Sequence, residues 1–167
     1  QVTVDMSAEE AAGSATWTDI LPHHDVNVLA DVLCTGGKFL AAIYMEDAHH
    51  ILTLYDMGGA EVQRVELPDV GTVASLNGRK EDSEFFYSFL GFVTPGLKFR
   101  FDVSAMRADK IREDTVADHK ADDFETKQVF YPSKDGTKIP MFLIGRRGQV
   151  HSGDTCCFLY GYGGFSI

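Results

Sequence analysis

A chain of 167 residues, 44% of them hydrophobic, is long enough for one ordinary domain or pieces of two and apolar enough for a real core, which excludes a disordered segment. Fifteen Lys and Arg against 25 Asp and Glu leave a net charge of −10, which repels phosphate backbones and anionic lipid, so neither nucleic acid nor membrane is an expected partner. No apolar run reaches the roughly 20 residues that span a bilayer, the opening QVTVDMSAEE lacks the basic and apolar regions of a secretion signal, and the odd set Cys34, Cys156 and Cys157 suits a reducing compartment; the expectation is a cytoplasmic protein.

In chain order, VTVDM (2–6) and WTDILP (17–22) read as two short strands around a variable stretch. KFLAAIYM (38–45), HILTLYDM (50–57), EVQRVEL (61–67), SEFFYSFL (83–90) and LKFRFDV (97–103) follow, rich in β-branched and aromatic residues. Gly, Asp and Pro punctuate them in MGGAE, LPDVG, NGRKED and VTPG, and no window carries a helical apolar period.

A repeat underlies these strands. VDMSAE (4–9), YDMGGAE (55–61) and FDVSAM (101–106) share an Asp at positions 5, 56 and 102, and a slide of 46 residues also lays Phe39 on Phe85, Ile51 on Leu97, Tyr55 on Phe101 and Val65 on Ile111. A unit of about four strands every 40 to 50 residues is the signature of β-propeller blades, because one such sheet cannot bury both faces without stacked neighbours. The expected organisation of residues 1–120 is the outer part of one blade, then two blades at about 26–71 and 72–117.

Beyond 117, ADHKADDFE is a charged connector, whose acidic run is most simply solvated. It leads into TKQVFYPSKDGTKIPMFLIGRRG, where Asp135-Gly136 marks a hairpin. After RRGQVHSGD a third strand is expected in TCCFLYGYGG, so residues 121–167 read as the start of a second domain. Cys156 and Cys157, adjacent on that strand, would point to opposite faces and pack in a core. The pairs His23-His24 and His49-His50 lie beside turns with no third ligand at metal spacing and read as surface histidines.

VFYPSKDGTKIPMFLIGRRG followed by FLYGYGGFSI looks like the start of the main catalytic segment of prolyl oligopeptidase, a cytosolic serine endopeptidase of the α/β-hydrolase superfamily. LPHHDVNVLADVLCTGGKFLAAIYMEDAHHILTLYD and GRKEDSEFFYSFLGFVTPGLKFRFDV resemble the last two blades of that family's seven-bladed propeller. The resemblance implies a mostly β chain: the last blades of a propeller, then the first strands of an α/β-hydrolase domain.

The resemblance also implies roles. Tyr162 would donate its phenol to the oxyanion hole; a phenol with an ordinary pKa near 10 keeps its proton at neutral pH. Phe165 would line a proline-binding S1 pocket, and Gly161, Gly163 and Gly164 would let the turn bend. A lone GYGGF is more often a tight turn with core aromatics; the surrounding YPSKDGTKIPMF is what favours function. GYGG lacks the Lys-Ser/Thr ending of a phosphate loop. None of the nine serines sits in a G-x-S-x-G elbow, so the Ser-Asp-His triad is expected outside these 167 residues and the chain alone is expected to be inactive. No cofactor or metal is implied, and the implied partners are short proline-containing peptides. Two other readings stand beside this one: a related oligopeptidase of different specificity, such as one cleaving after basic residues, and a non-catalytic propeller binding module or pseudoenzyme.

Overall fold

The computed structural model describes residues 2–4, 17–149, 153 and 155–162; for 2–4 and 17 the description is of backbone only. Strands β1 (Val2–Val4) and β2 (Trp17–Asp19) form an antiparallel pair, with Val2 opposite Asp19. Two four-stranded antiparallel meanders follow. The first is β3 (Val28–Thr35), β4 (Phe39–Glu46), β5 (His49–Asp56) and β6 (Glu61–Val65). The second is β7 (Gly71–Gly78), β8 (Glu84–Gly91), β9 (Leu97–Asp102) and β10 (Arg107–Glu113). The first lies within the unit expected at 26–71, and the second begins at Gly71, one residue before the expected start at 72. A short 3₁₀ turn, Ala121–Asp123, then leads into a hairpin of β11 (Phe124–Pro132) and β12 (Lys138–Arg146).

Side-chain alternation explains the stacking. On β4, Ala41 and Ile43 face the second meander and, together with Leu52 and Leu54 of β5, pack with its Phe85, Tyr87 and Phe101. Leu40, Ala42 and Tyr44 point the other way, onto Leu21 and Ile20 beside β2. The first blade is thus covered on both sides, and its central strand is a near-continuous apolar run. Cross-strand partners reinforce the second blade: Phe85 stacks on Phe101 and Tyr87 on Phe99, each with ring centroids 4.9 Å apart.

The repeated Asp has a local job. Asp56 Oδ1 accepts the amides of Gly58 and Ala60, both at 2.9 Å, and Asp102 Oδ1 accepts those of Ser104 at 2.9 Å and Ala105 at 3.0 Å. Each carboxylate shapes the turn from third to fourth strand. Asp5 lies outside the described residues. In the β5–β6 turn, Gly59 sits at φ +84, and a Cβ there would stand 2.1 Å from the Ile20 carbonyl oxygen, so only glycine lets the turn close on the preceding segment.

Two of the slide's correspondences shift. Leu40, not Phe39, stands where Phe85 does, since Leu40 pairs with Tyr55 as Phe85 pairs with Phe101; the connections between second and third strands differ in length. Ile111 falls at a bulge between Lys110 and Arg112, which turns it out to 55% exposure while Val65 is buried.

Candidate functional site

The hairpin forms where Asp135-Gly136 foretells it. Ser133 N–H donates to the Thr137 carbonyl at 2.8 Å, Gly136 takes φ +86, and Thr137 N–H donates to Asp135 Oδ1 at 3.0 Å, which holds that carboxyl below its usual value. At its open end Arg147 clamps both strands: its amide donates to the Asp123 carbonyl, and its guanidinium to those of Asp122 and Phe124.

The expected third strand does not form. Residues 156–162 have no regular structure, and Phe158, Leu159 and Tyr160 are strongly exposed, Phe158 at 89%. A strand exists only when paired, and among the described residues no edge pairs with this segment. Cys156 and Cys157 are therefore exposed rather than packed in a core. Tyr162 is 59% exposed, and a Cβ on Gly161 would meet nothing within 4 Å. The structure brings neither residue to another candidate group. Gly163, Gly164 and Phe165 lie outside the described residues.

His23 and His24 are exposed, and His24 Nδ1 caps the next turn by accepting the amides of Val26 and Asn27. His49 and His50 depart from the surface reading: both are half-buried where the blades meet. The cleft they line, about 400 Å³, also has Arg64, Glu66, Asp69 and Val70 at its wall. His50 Nδ1 accepts the Val73 amide of the second blade at 3.1 Å, with the Val73 carbonyl at 3.2 Å. Burial lowers the pKa of His50; the Val73 contact opposes this, and the neighbouring His49 adds to it. Nearby, burial pushes the Glu46 carboxyl up, but hydrogen bonds from Asn27 and Arg64 more than offset this and leave it below the ordinary value. Among the described residues, no three metal-ligating side chains cluster.

Three contacts between the blades and the hairpin or its connector escape any local pattern. Gln128 Nε2 donates to the Asp47 carbonyl at 2.7 Å, His119 Nε2–H donates to the Val93 carbonyl at 2.7 Å, and the Phe92 and Phe142 rings lie 4.9 Å apart. They join residues 26 to 81 positions apart, beyond the reach of periodicity or motif.

A family model of the prolyl oligopeptidase N-terminal β-propeller domain matches residues 2–114. The dual function macrocyclase-peptidase POPB of Galerina marginata is 34% identical over 168 residues, covering 99% of this chain and 22% of that protein. The prolyl endopeptidase of Elizabethkingia miricola is 33% identical over 152 residues, covering 91% of this chain and 21% of that protein. The chain thus spans about a fifth of the length of these relatives. Among solved structures, apo prolyl oligopeptidase B from Galerina marginata superposes with a TM-score of 0.77 at 33% identity, covering 88% of this chain and 21% of that one. The same protein bound to a 25mer macrocyclization substrate gives 0.73 at 34% identity, covering 87% and 20%.

Proposed function

The chain belongs to the prolyl oligopeptidase family, and from that premise we propose that it forms the propeller-to-catalytic-domain stretch of a serine-type endopeptidase that hydrolyses short peptides on the carboxyl side of proline. The observation that carries the reading is the join: two stacked blades, matched by the family's propeller model, run directly into a hairpin, and the sequence FLYGYGGFSI follows.

In the full-length enzyme the chemistry is acyl transfer. A serine contributed from outside these residues attacks the carbonyl after proline, and a histidine carries the proton from serine to the leaving amine. Tyr162 donates its phenolic hydrogen to the oxygen as charge develops there, and Phe165 packs its ring against the pyrrolidine. The blades restrict access to short, flexible peptides. A cytoplasmic location is part of the proposal, and its basis is the odd count of three cysteines.

The test is Tyr162→Phe in the full-length enzyme, assayed with a proline-containing fluorogenic peptide. We expect kcat to fall about a hundredfold or more with little change in KM; an unchanged kcat removes the role from Tyr162. A parent reading frame without G-x-S-x-G, Asp and His would replace the peptidase reading with that of a binding module.

A further inference from the structure

We propose that Gln128 and the tip of the β4–β5 turn form a latch that holds the catalytic segment against the blades and sets how easily that segment swings away to admit longer peptides. The inference rests on the peptidase reading above for its functional consequence, but not for the latch itself.

Three observations carry it. The first is how little holds the hairpin in place. No residue of β11 or β12 is fully buried, so the pair has no dry core against the blades. Its side-chain ties to the blade loops include Gln128 to Asp47, Phe142 to Phe92, and, through the connector, His119 to Val93 with its ring stacked on Phe124. Each blade offers the same part of itself, the connection between its second and third strands.

The second is the conformation of the acceptor. Asp47 and Ala48 are the two central residues of a tight turn between Glu46 and His49, at φ +46 and +64. Such turns favour Asn-Gly or Asp-Gly because both centres need the left-handed region. Alanine there is strained, and strain retained at a turn whose carbonyl receives a distant side chain points to a role for that turn.

The third is the chemistry of the bonds. Backbone carbonyls can only accept, so Gln128 and the Nε2–H of His119 must be the donors. Each donor also meets water readily when released, so the net strength of either bond is small and the contact opens without disrupting a core. Gln128 is in this sense a positioning residue.

Two measurements test the proposal. In the full-length enzyme, Gln128→Glu replaces the donor with an acceptor-only group of equal length, and His119→Ala removes the second tie. Each should quicken tryptic cleavage after the exposed Lys120 about fivefold, the factor that one hydrogen bond of ordinary net strength supplies. Gln128→His, which restores a nitrogen donor at the same reach without adding a tryptic site, should return the wild-type rate. Cleavage at the wild-type rate in both disruptive variants overturns the latch.

In the full-length enzyme, Gln128→Glu should raise kcat/KM for a 35-residue peptide, the length bound by the Galerina relative, over that for a short fluorogenic peptide by about fivefold. An unchanged ratio in an active enzyme overturns the gating role. A wild-type enzyme that cleaves neither peptide overturns the peptidase reading instead, and the proteolysis result still decides the latch.

Discussion

Tyr87 presents an unusual balance at the interface between blades. Its ring stacks on Phe99, yet its hydroxyl is buried with no hydrogen-bond partner among the described residues, and burial pushes its pKa up to about 12. A buried, unpaired hydroxyl costs about 1 to 3 kcal/mol relative to a satisfied one. Tyr87→Phe keeps the stacked ring and deletes the stranded group, so we expect it to raise unfolding free energy by about 1 kcal/mol in chemical denaturation; a loss of stability would show that the hydroxyl is paired. His50 acts in the opposite sense. Its lowered pKa means that the folded chain binds fewer protons than the unfolded chain, so the stability it contributes is complete above the unfolded value of 6.5 and declines as pH falls below it. The melting temperature should therefore fall on acidification, and His50→Gln, which offers a neutral acceptor to the Val73 amide at any pH, should flatten that fall.

At the scale of elements, the turns decide how well the fold can be read. The β4–β5 turn offers a direct test: Ala48→Gly relieves a left-handed alanine and should stabilise the chain by about 1 kcal/mol, less the added chain entropy of glycine. No change in the denaturation midpoint would mean that the strain lies elsewhere. The Asp56 and Asp102 turns made the repeat visible because their shared geometry needs a short acceptor followed by small residues. The slide failed at Ile111, where a bulge flips the face, and at Phe39, where a connection of different length shifts the register; neither leaves a mark in composition. The segment 156–162 carries a strand's residue types, but pairing comes from a partner edge rather than from propensity. The roles proposed for Tyr162 and Phe165 were legible only through family resemblance. Gln128, His119 and Asp47 were not legible at all, because what joins them is the return of the chain from distant positions.

At the scale of the molecule, the two blades differ in what covers them. The first is packed on both faces, while the outer face of the second carries Phe86 and Leu90 half-exposed among the charged Glu84, Arg100 and Lys98. The ion pairs there, such as Arg100 with Glu84, contribute little in water, so that face gains its stability from whatever stacks on it. With the exposed Phe158, Leu159 and Tyr160 added, the isolated chain should self-associate. Sedimentation velocity should show mass rising with concentration, and a monomer with a single cooperative melt would contradict this.

The seam between the blades is built differently at its two ends. Away from the hairpin, the amides of Gly36 and Gly37 donate to the carbonyls of Asp82 and Lys80, and the Thr35 hydroxyl donates to Asp82 as well. Gln63 Nε2 donates to the Met106 carbonyl across it too, and at the hairpin end the Val73 amide donates to His50 Nδ1. Backbone pairs do not titrate and an imidazole does, so acid should loosen the seam first at the His50 end. The blades would then part like pages bound along a single margin, and the gap would open on the side where the peptide chemistry is proposed to lie. Amide exchange read residue by residue should show it, with Val73 accelerating below pH 6.5 while Gly36 and Gly37 hold their rates apart from the ordinary pH dependence of exchange.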